Sequence, residues 1–413
     1  MDNFLRRWLT VSFFNLLLVA ALGIILRCKI AFYLPFVEQK FLLHSHSHFA
    51  FSGWITQTLM VLMVYYLALK NGKQIIKRYR WLLYANCITA YGMLISFILE
   101  GYAFFSISFS TLSIFVSYFF AVYYFNDLAS LKAANVSRNW FKAALVFNVL
   151  SSVGAFSLAY MMANKLMVQN LYLATIYFFL HFQYNGWFFF AGMGLLVTKL
   201  EQMPAAVNTL KIVFWLFCFA CPPAYFLSAL WLPFPFVVYC IIIAAVFAQL
   251  TGWGLMIKIF VRQKWFFNQH FSKQGKLLLW LSAIAFSIKL LLQTGSVHPA
   301  LSQISYGFRP IVIGYLHLVL LGVTSIFIIG YIVSFELVPM TGKLLIGIFI
   351  FVAGVIINEL LLMAQGVAAL TYTSIPYINI LLLIAAVILF SGIFLMVTAR
   401  FTTTSSSYNK RLK

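Results

Sequence analysis

Twelve apolar runs of about 20 residues each constrain what this chain can fold into. An α-helix rises about 1.5 Å per residue, so a run of this length crosses the hydrocarbon core of a bilayer. A chain with 64% hydrophobic and only 8% charged residues has too little polar surface for a water-soluble fold. We therefore predict an all-α polytopic membrane protein with about 12 transmembrane helices. The runs lie at about 8–27, 46–69, 81–99, 103–125, 140–163, 170–198, 210–231, 234–257, 277–294, 309–335, 344–366 and 376–399.

The net charge of +21 is explained by the distribution of the basic residues among the loops. If the N-terminus is cytoplasmic, most of the 28 Lys and Arg residues fall in inner segments. The outer segments then hold only Arg27, Lys29, Lys40, Lys165 and Arg309. Such asymmetry orients a multi-pass protein in the plasma membrane, here with both termini cytoplasmic and 400–413 as a short cytoplasmic tail. The bilayer is thus the partner of the basic residues, and no nucleic acid is implied.

A histidine recurs at the same place in three of the apolar runs. His48, His181 and His317 are separated by 133 and 136 residues, and each is followed five positions later by glycine. The first two copies share the pattern H-F-x-[FY]-x-G-W. Recurrence at a fixed period indicates an internal repeat. We predict three pseudo-symmetric four-helix arcs, at about 1–125, 140–257 and 277–399, within one integral membrane domain, 1–413.

Histidines inside a bilayer need a polar partner, because hydrocarbon offers none. The three histidines are expected on helices 2, 6 and 10, roughly 12 to 16 Å from the outer ends of those helices. A cofactor in the outer half of the membrane could then reach all three. Ligation of a metal or haem iron is one interpretation, and hydrogen bonds to neighbouring helices are the other.

This arrangement of helices and histidines resembles subunit I of the haem-copper oxidase superfamily, which includes the nitric oxide reductases, and also short haem-binding proteins of the NnrS type. The resemblance implies that His48 and His317 are the axial ligands of a haem, expected to be b-type, and that His181 occupies a copper position. Helix 7 here has no histidine and helix 10 has only one, so the complete haem-copper centre is not expected. The resemblance implies electron transfer or binding of NO or O2, with a respiratory-chain partner or other electron donor.

Three further residues are candidates for the same chemistry. His44 and His46 precede His48 and could bind a surface copper, although Ser45 and Ser47 are also ordinary residues for a helix start. Arg309 could pair with a haem propionate or reach the lipid headgroups. No catalytic residue is predicted.

Two other functional classes remain open. A transporter is one, although transporters usually repeat as halves or inverted units, and a four-helix period disfavours this class. A cofactor-free membrane subunit or assembly factor is the other, and it would bind no haem.

Overall fold

The computed structural model describes residues 2–131, 135–166, 168–298 and 308–399. These residues form twelve long helices, a short helix Lys264–His270, and no strands. The predicted tail, 400–413, lies outside the described residues. The long helices are α1 (Asp2–Ala31), α2 (Gln39–Asn71), α3 (Gln74–Glu100), α4 (Phe104–Ala129), α5 (Val136–Ala163), α6 (169–200), α7 (Pro204–Ala229), α8 (Phe236–Arg262), α9 (Lys273–Gly295), α10 (Arg309–Ser334), α11 (Gly342–Leu370) and α12 (Ile378–Thr398).

Within the described ranges, eleven of these helices are long and apolar enough to cross a membrane. The all-α fold is therefore confirmed, and eleven helices that could span a membrane agree with a multi-pass protein. The remaining helix, α6, is long enough but less apolar, because it carries His181, Gln183 and Asn185 near its middle. Each of the twelve predicted runs corresponds to one helix.

The chain divides into two compact units. Unit 1 comprises 1–120, 270–282 and 313–413, and unit 2 comprises 121–269 and 283–312. Unit 1 therefore combines most of the first and third predicted repeats, while unit 2 contains all of the second. In unit 1, α1 packs against α2 and α12, and α11 packs along α12. In unit 2, α5 packs against α6, and α7 packs against α8.

Helix α2 is the most enclosed of the apolar helices in the described chain. Of its most apolar 18-residue window, 94% is buried, against 17% for α4, whose apolar side chains are therefore largely exposed. Along α2, every residue from Phe51 to Ala68 is buried. The histidines that precede this segment consequently lie at the edge of a protein-lined interior, where a polar group must be satisfied by protein or ligand.

Candidate functional site

A π-helical segment follows each of the three repeated histidines. Ala50–Thr56 begins two residues after His48, while Phe182–Phe188 and Leu318–Ser325 begin directly after His181 and His317. Each repeated glycine lies within one of these segments. A π-helix bonds residue i to i+5, and short π segments inside α-helices are frequent at functional sites. The repeat seen in the sequence is thus also a repeat of local backbone structure.

Side chains from neighbouring helices donate to carbonyl groups of the three π segments. In unit 1, Asn15 on α1 donates to the Gly53 carbonyl at 2.6 Å, and Ser282 on α9 donates to the Val323 carbonyl at 2.8 Å. In unit 2, the Cys221 thiol on α7 lies 3.8 Å from the Asn185 carbonyl. Irregular backbone survives at membrane depth only where such partners satisfy it. These donors therefore stabilise the departures from the α-helical pattern.

One of these donors, Asn15, has a counterpart in the second repeat, and the histidine pattern in the sequence did not reveal it. Asn15 and Asn148 are 133 residues apart, the same interval that separates His48 from His181. Asn148 on α5 accepts a hydrogen bond from Gln183, which lies in the π segment of α6. In each of the first two repeats, an asparagine on the first helix therefore hydrogen-bonds to the π segment of the second helix. The shared F-N dipeptide at 14–15 and 147–148 was the available signal.

The three histidines at the start of α2 point to two different neighbours. His44 and His48 both pack on Phe97, and the His48 ring stacks on it with centroids 4.4 Å apart. His46 instead reaches α1, where its Nδ1 lies 3.1 Å from the Val19 carbonyl. Successive residues turn by about 100° on an α-helix, so residues two apart face opposite sides and residues four apart share a side.

His46 and His317 have the same hydrogen-bonding arrangement. Nδ1 of His317 lies 2.8 Å from the carbonyl of Ile313, one turn earlier on α10. A carbonyl can only accept, so in both rings Nδ1 carries the proton and Nε2 keeps its lone pair. Neither Nε2 has a hydrogen-bond partner within the described residues. A donated Nδ1–H with a free Nε2 is the usual state of a metal-ligating histidine.

These two histidines also lie at matching levels in unit 1. Eight residues after His46, Trp54 donates to the hydroxyl of Ser325, which lies eight residues after His317, at 2.9 Å. The His46 and His317 rings are close enough for their charges to interact. The histidine pair and the Trp54–Ser325 pair occur in the same order along both helices, so α2 and α10 run parallel here. The histidines lie about 12 Å along their helices from the Trp54 contact.

Arg27, near the end of α1, completes this group of residues. Its guanidinium interacts electrostatically with both His46 and His317. The side chain is half-buried, and within the described part of unit 1 it has no ion pair or hydrogen bond. On α1, Gly23 faces the His46 ring: a Cβ at this position would lie 3.6 Å from His46 Cε1. Arg27 therefore brings a cation near both histidines.

The predicted ligand His48 is placed differently. Its Nε2 lies 3.1 Å from the Tyr102 hydroxyl, on the side of α2 opposite His46. The structure thus brings His46, rather than His48, towards His317. The sequence alignment of the repeats matched His48 to His317, whereas the Trp54 contact matches His46 to His317.

The predicted metal ligand His181 is fully buried in unit 2, and both of its ring nitrogens are engaged. Nε2 donates to the Cys221 carbonyl at 2.8 Å, and Nδ1 accepts from the Asn185 amide at 3.0 Å. Metal binding at His181 would require one of these bonds to break. The ring therefore has the satisfied hydrogen bonding of a structural histidine.

Arg309 is the first residue of α10 and is exposed. This position suits an interaction with lipid headgroups as well as with a propionate. Across the described ranges, no three His, Cys, Asp or Glu side chains are grouped so that they could hold a metal ion. No protein-family model matches the chain, and no curated protein is significantly similar to it.

Proposed function

We propose that this chain is a membrane haem protein in which His46 and His317 would hold the iron of one haem. The observation that carries the proposal is the matched state of these rings. Both donate Nδ1–H to a backbone carbonyl, both keep Nε2 free, and both lie at the same level of parallel helices. Two imidazole nitrogens from different helices form the donor set of a low-spin haem.

The surrounding residues fit such a group. A haem carries two propionates, and Arg27 offers an unpaired guanidinium beside both histidines. In this proposal Arg27 takes the role that the sequence assigned to Arg309, because Arg309 is exposed at the end of its helix. His46 likewise replaces His48, whose Nε2 lies at hydrogen-bonding distance from Tyr102.

The proposed activity is electron transfer within the membrane. A haem with two protein ligands supplies a one-electron redox centre without an open position on the iron. Binding of NO or O2 would require one histidine to leave, so electron transfer is the better match to two free Nε2 atoms. The backbone carbonyls of Val19 and Ile313 hold the rings in one tautomer and orientation. A membrane respiratory partner would act as the electron donor.

The resemblance to subunit I of the haem-copper oxidases is retained as part of this proposal. It is supported by twelve helices, by histidines on α2 and α10, and by a π segment after each repeated histidine. The three four-helix arcs belong to the same proposal. The expected location is the plasma membrane, with both termini cytoplasmic, as the basic residues suggest.

The test is the optical spectrum of protein purified from a haem-competent membrane. We expect a Soret band and the reduced-minus-oxidised bands of a single low-spin haem. His46→Ala and His317→Ala should each abolish the low-spin spectrum, because each removes one axial bond. Arg27→Gln should retain the haem but shift its reduction potential upon loss of a nearby cation.

His48→Ala is the matched control, because it removes a histidine two residues away on the opposite side of the same helix. It should leave the low-spin spectrum intact, as should His181→Ala. Added carbon monoxide should leave the reduced spectrum unchanged, since both axial positions are filled. Wild-type protein without haem would refute the proposal and favour a cofactor-free subunit or a transporter. Loss of the spectrum in His48→Ala would return the ligand role to His48.

A further inference from the structure

A second group of nitrogen and oxygen donors lies on the opposite side of α2 from His46. It consists of His44, His48 and Tyr102, all in unit 1. His44 and His48 are four residues apart, so their side chains share one side of the helix. The ring centroids of His44 and Tyr102 are 4.6 Å apart, and Phe97 packs against all three rings.

His44 has a buried ring nitrogen without a partner. Its Nε2 is inaccessible to solvent and makes no hydrogen bond within the described residues. Leaving such an atom unsatisfied costs free energy, so a buried nitrogen of this kind calls for a missing partner. The rings of Phe97 and Tyr102 pack against His44, and His44 also interacts electrostatically with His48 and Lys40.

The contact between His48 and Tyr102 has the spacing of two ligands on one ion. Nε2 of His48 and the Tyr102 hydroxyl oxygen are 3.1 Å apart. Nitrogen and oxygen ligands lie about 2.0 to 2.2 Å from a bound Zn²⁺, so two ligands at tetrahedral or right angles are roughly 2.8 to 3.6 Å apart. A hydrogen bond has the same length, and metal titration of wild type and Tyr102→Phe distinguishes a ligand pair from a simple hydrogen bond.

The turn between α3 and α4 positions Tyr102. Gly101 adopts φ +65°, a left-handed conformation that favours glycine. On the other side of the turn, the Glu100 carboxylate accepts from the Ser106 backbone N–H at 2.7 Å. The Ser106 hydroxyl in turn accepts from the Ala103 N–H at 2.9 Å. These hydrogen bonds within the turn hold Tyr102 in a position where it contacts α2.

We propose that His44, His48 and Tyr102 bind a divalent late transition-metal ion, separate from the haem ligands. Two histidines four residues apart on a helix hold metal ions in other proteins, and a tyrosine oxygen completes a three-ligand set here. Imidazole nitrogen suits Cu²⁺ and Zn²⁺, and Cu²⁺ binds such donors more tightly. The series His44-Ser-His46-Ser-His48 would thereby serve two sites on opposite sides of α2.

The experiment uses full-length protein without a histidine tag, stripped with a chelator and titrated with Cu²⁺ or Zn²⁺ alone. We expect one tightly bound equivalent of metal after gel filtration. The Cu²⁺ electron paramagnetic resonance spectrum should show coupling to two nitrogens. Tyr102→Phe removes only the hydroxyl and is the conservative variant. It should weaken metal binding at least tenfold, and His44→Ala should remove one coupled nitrogen.

His46→Ala is the matched control, since it removes a histidine from the same run but from the opposite side of the helix. It should abolish the haem spectrum and leave the bound equivalent of metal in place. The proposal would be overturned if a triple variant bound metal as tightly as wild type; this variant carries His44→Ala, His48→Ala and Tyr102→Phe. Loss of the metal in His46→Ala with retention in Tyr102→Phe would also overturn it.

Discussion

At the scale of single residues, the type of residue was easier to predict than its partner. The sequence identifies His44, His46 and His48 as unusual, and helical geometry alone places His46 opposite the other two. It does not say that α1 and α10 lie on one side of α2, with Tyr102 on the other. That information comes only from long-range packing, so the sequence could not tell which of these histidines faces α10.

Lys289 on α9 is a buried cation in unit 2. Its side chain is 3% exposed, and Nζ lies 5.1 Å from the centre of the Phe286 ring. It also interacts electrostatically with Cys221 and His181. No described residue of the same unit gives it a carboxylate. A buried cation without an anion is costly, and contact with an aromatic ring offsets only part of that cost.

We predict that Lys289→Met raises the free energy of unfolding by about 1 to 3 kcal/mol, because it keeps the chain length and removes the buried charge. The midpoint of thermal unfolding in detergent is the measurement. Lys289→Glu is the control and should lower the midpoint, because it leaves a charge in the same buried position. A lower midpoint for Lys289→Met would show that the ammonium has a stabilising partner.

At the scale of helices, apolar length predicted all twelve long elements. The π segments were not predicted, because an apolar run of about 20 residues looks the same whether residue i bonds to i+4 or to i+5. The repeated glycines Gly53 and Gly186 both lie in a π segment. Gly53 lies against Phe49 of its own helix, whereas Gly186 lies against Phe147 of α5.

Close packing by glycine is clearest between α11 and α12 in unit 1. A Cβ at Gly347 would lie 2.8 Å from the carbonyl oxygen of Gly392 and 2.9 Å from the backbone nitrogen of Met396. At Gly354, a Cβ would lie 2.9 Å from the backbone nitrogen of Leu389. Backbone atoms cannot move aside as a side chain can, so these glycines set the distance between the two helices.

We predict that Gly347→Ala and Gly354→Ala each lower the free energy of unfolding by about 1 to 3 kcal/mol, since the added methyl groups force α11 and α12 apart. Thermal unfolding monitored by fluorescence size exclusion would measure this. Gly254→Ala on α8 is the control, because nothing lies within 4 Å of its Cβ position. It should be neutral or stabilise by up to about 1 kcal/mol, from helix propensity. Equal effects at Gly254 and Gly347 would contradict the packing argument.

At the scale of the whole molecule, the sequence repeats and the compact units divide the chain differently. Unit 1 brings together ranges from the start and the end of the chain, so α2 and α10 meet although His46 and His317 are 271 residues apart. Periodicity could indicate which helices are equivalent. It could not indicate which equivalent helices become neighbours, because that depends on contacts between helices that are distant in the sequence.

The distribution of basic residues leads to a prediction about the orientation of the chain in the membrane. His46 lies seven residues after Gln39, the first residue of α2, and His317 lies eight after Arg309, the first of α10. Both are therefore about 10 to 12 Å from the N-terminal ends of their helices. If the positive-inside rule orients the chain, those ends face outward, and the proposed haem lies in the outer half of the bilayer.

We predict that a membrane-impermeant maleimide labels Asn164→Cys and Thr373→Cys in intact cells. It should label Lys73→Cys and Lys343→Cys only after permeabilisation. The background is a variant in which Cys28, Cys87, Cys218 and Cys240 are replaced by serine, because all four are at least partly exposed. Asn164 and Thr373 follow α5 and α11, whereas Lys73 follows α2 and Lys343 is the second residue of α11. The first pair must therefore lie on the side opposite the second if each helix crosses once. Labelling of Lys73→Cys in intact cells would invert the orientation and place the proposed haem near the cytoplasmic face, where a soluble cytoplasmic donor could reach it.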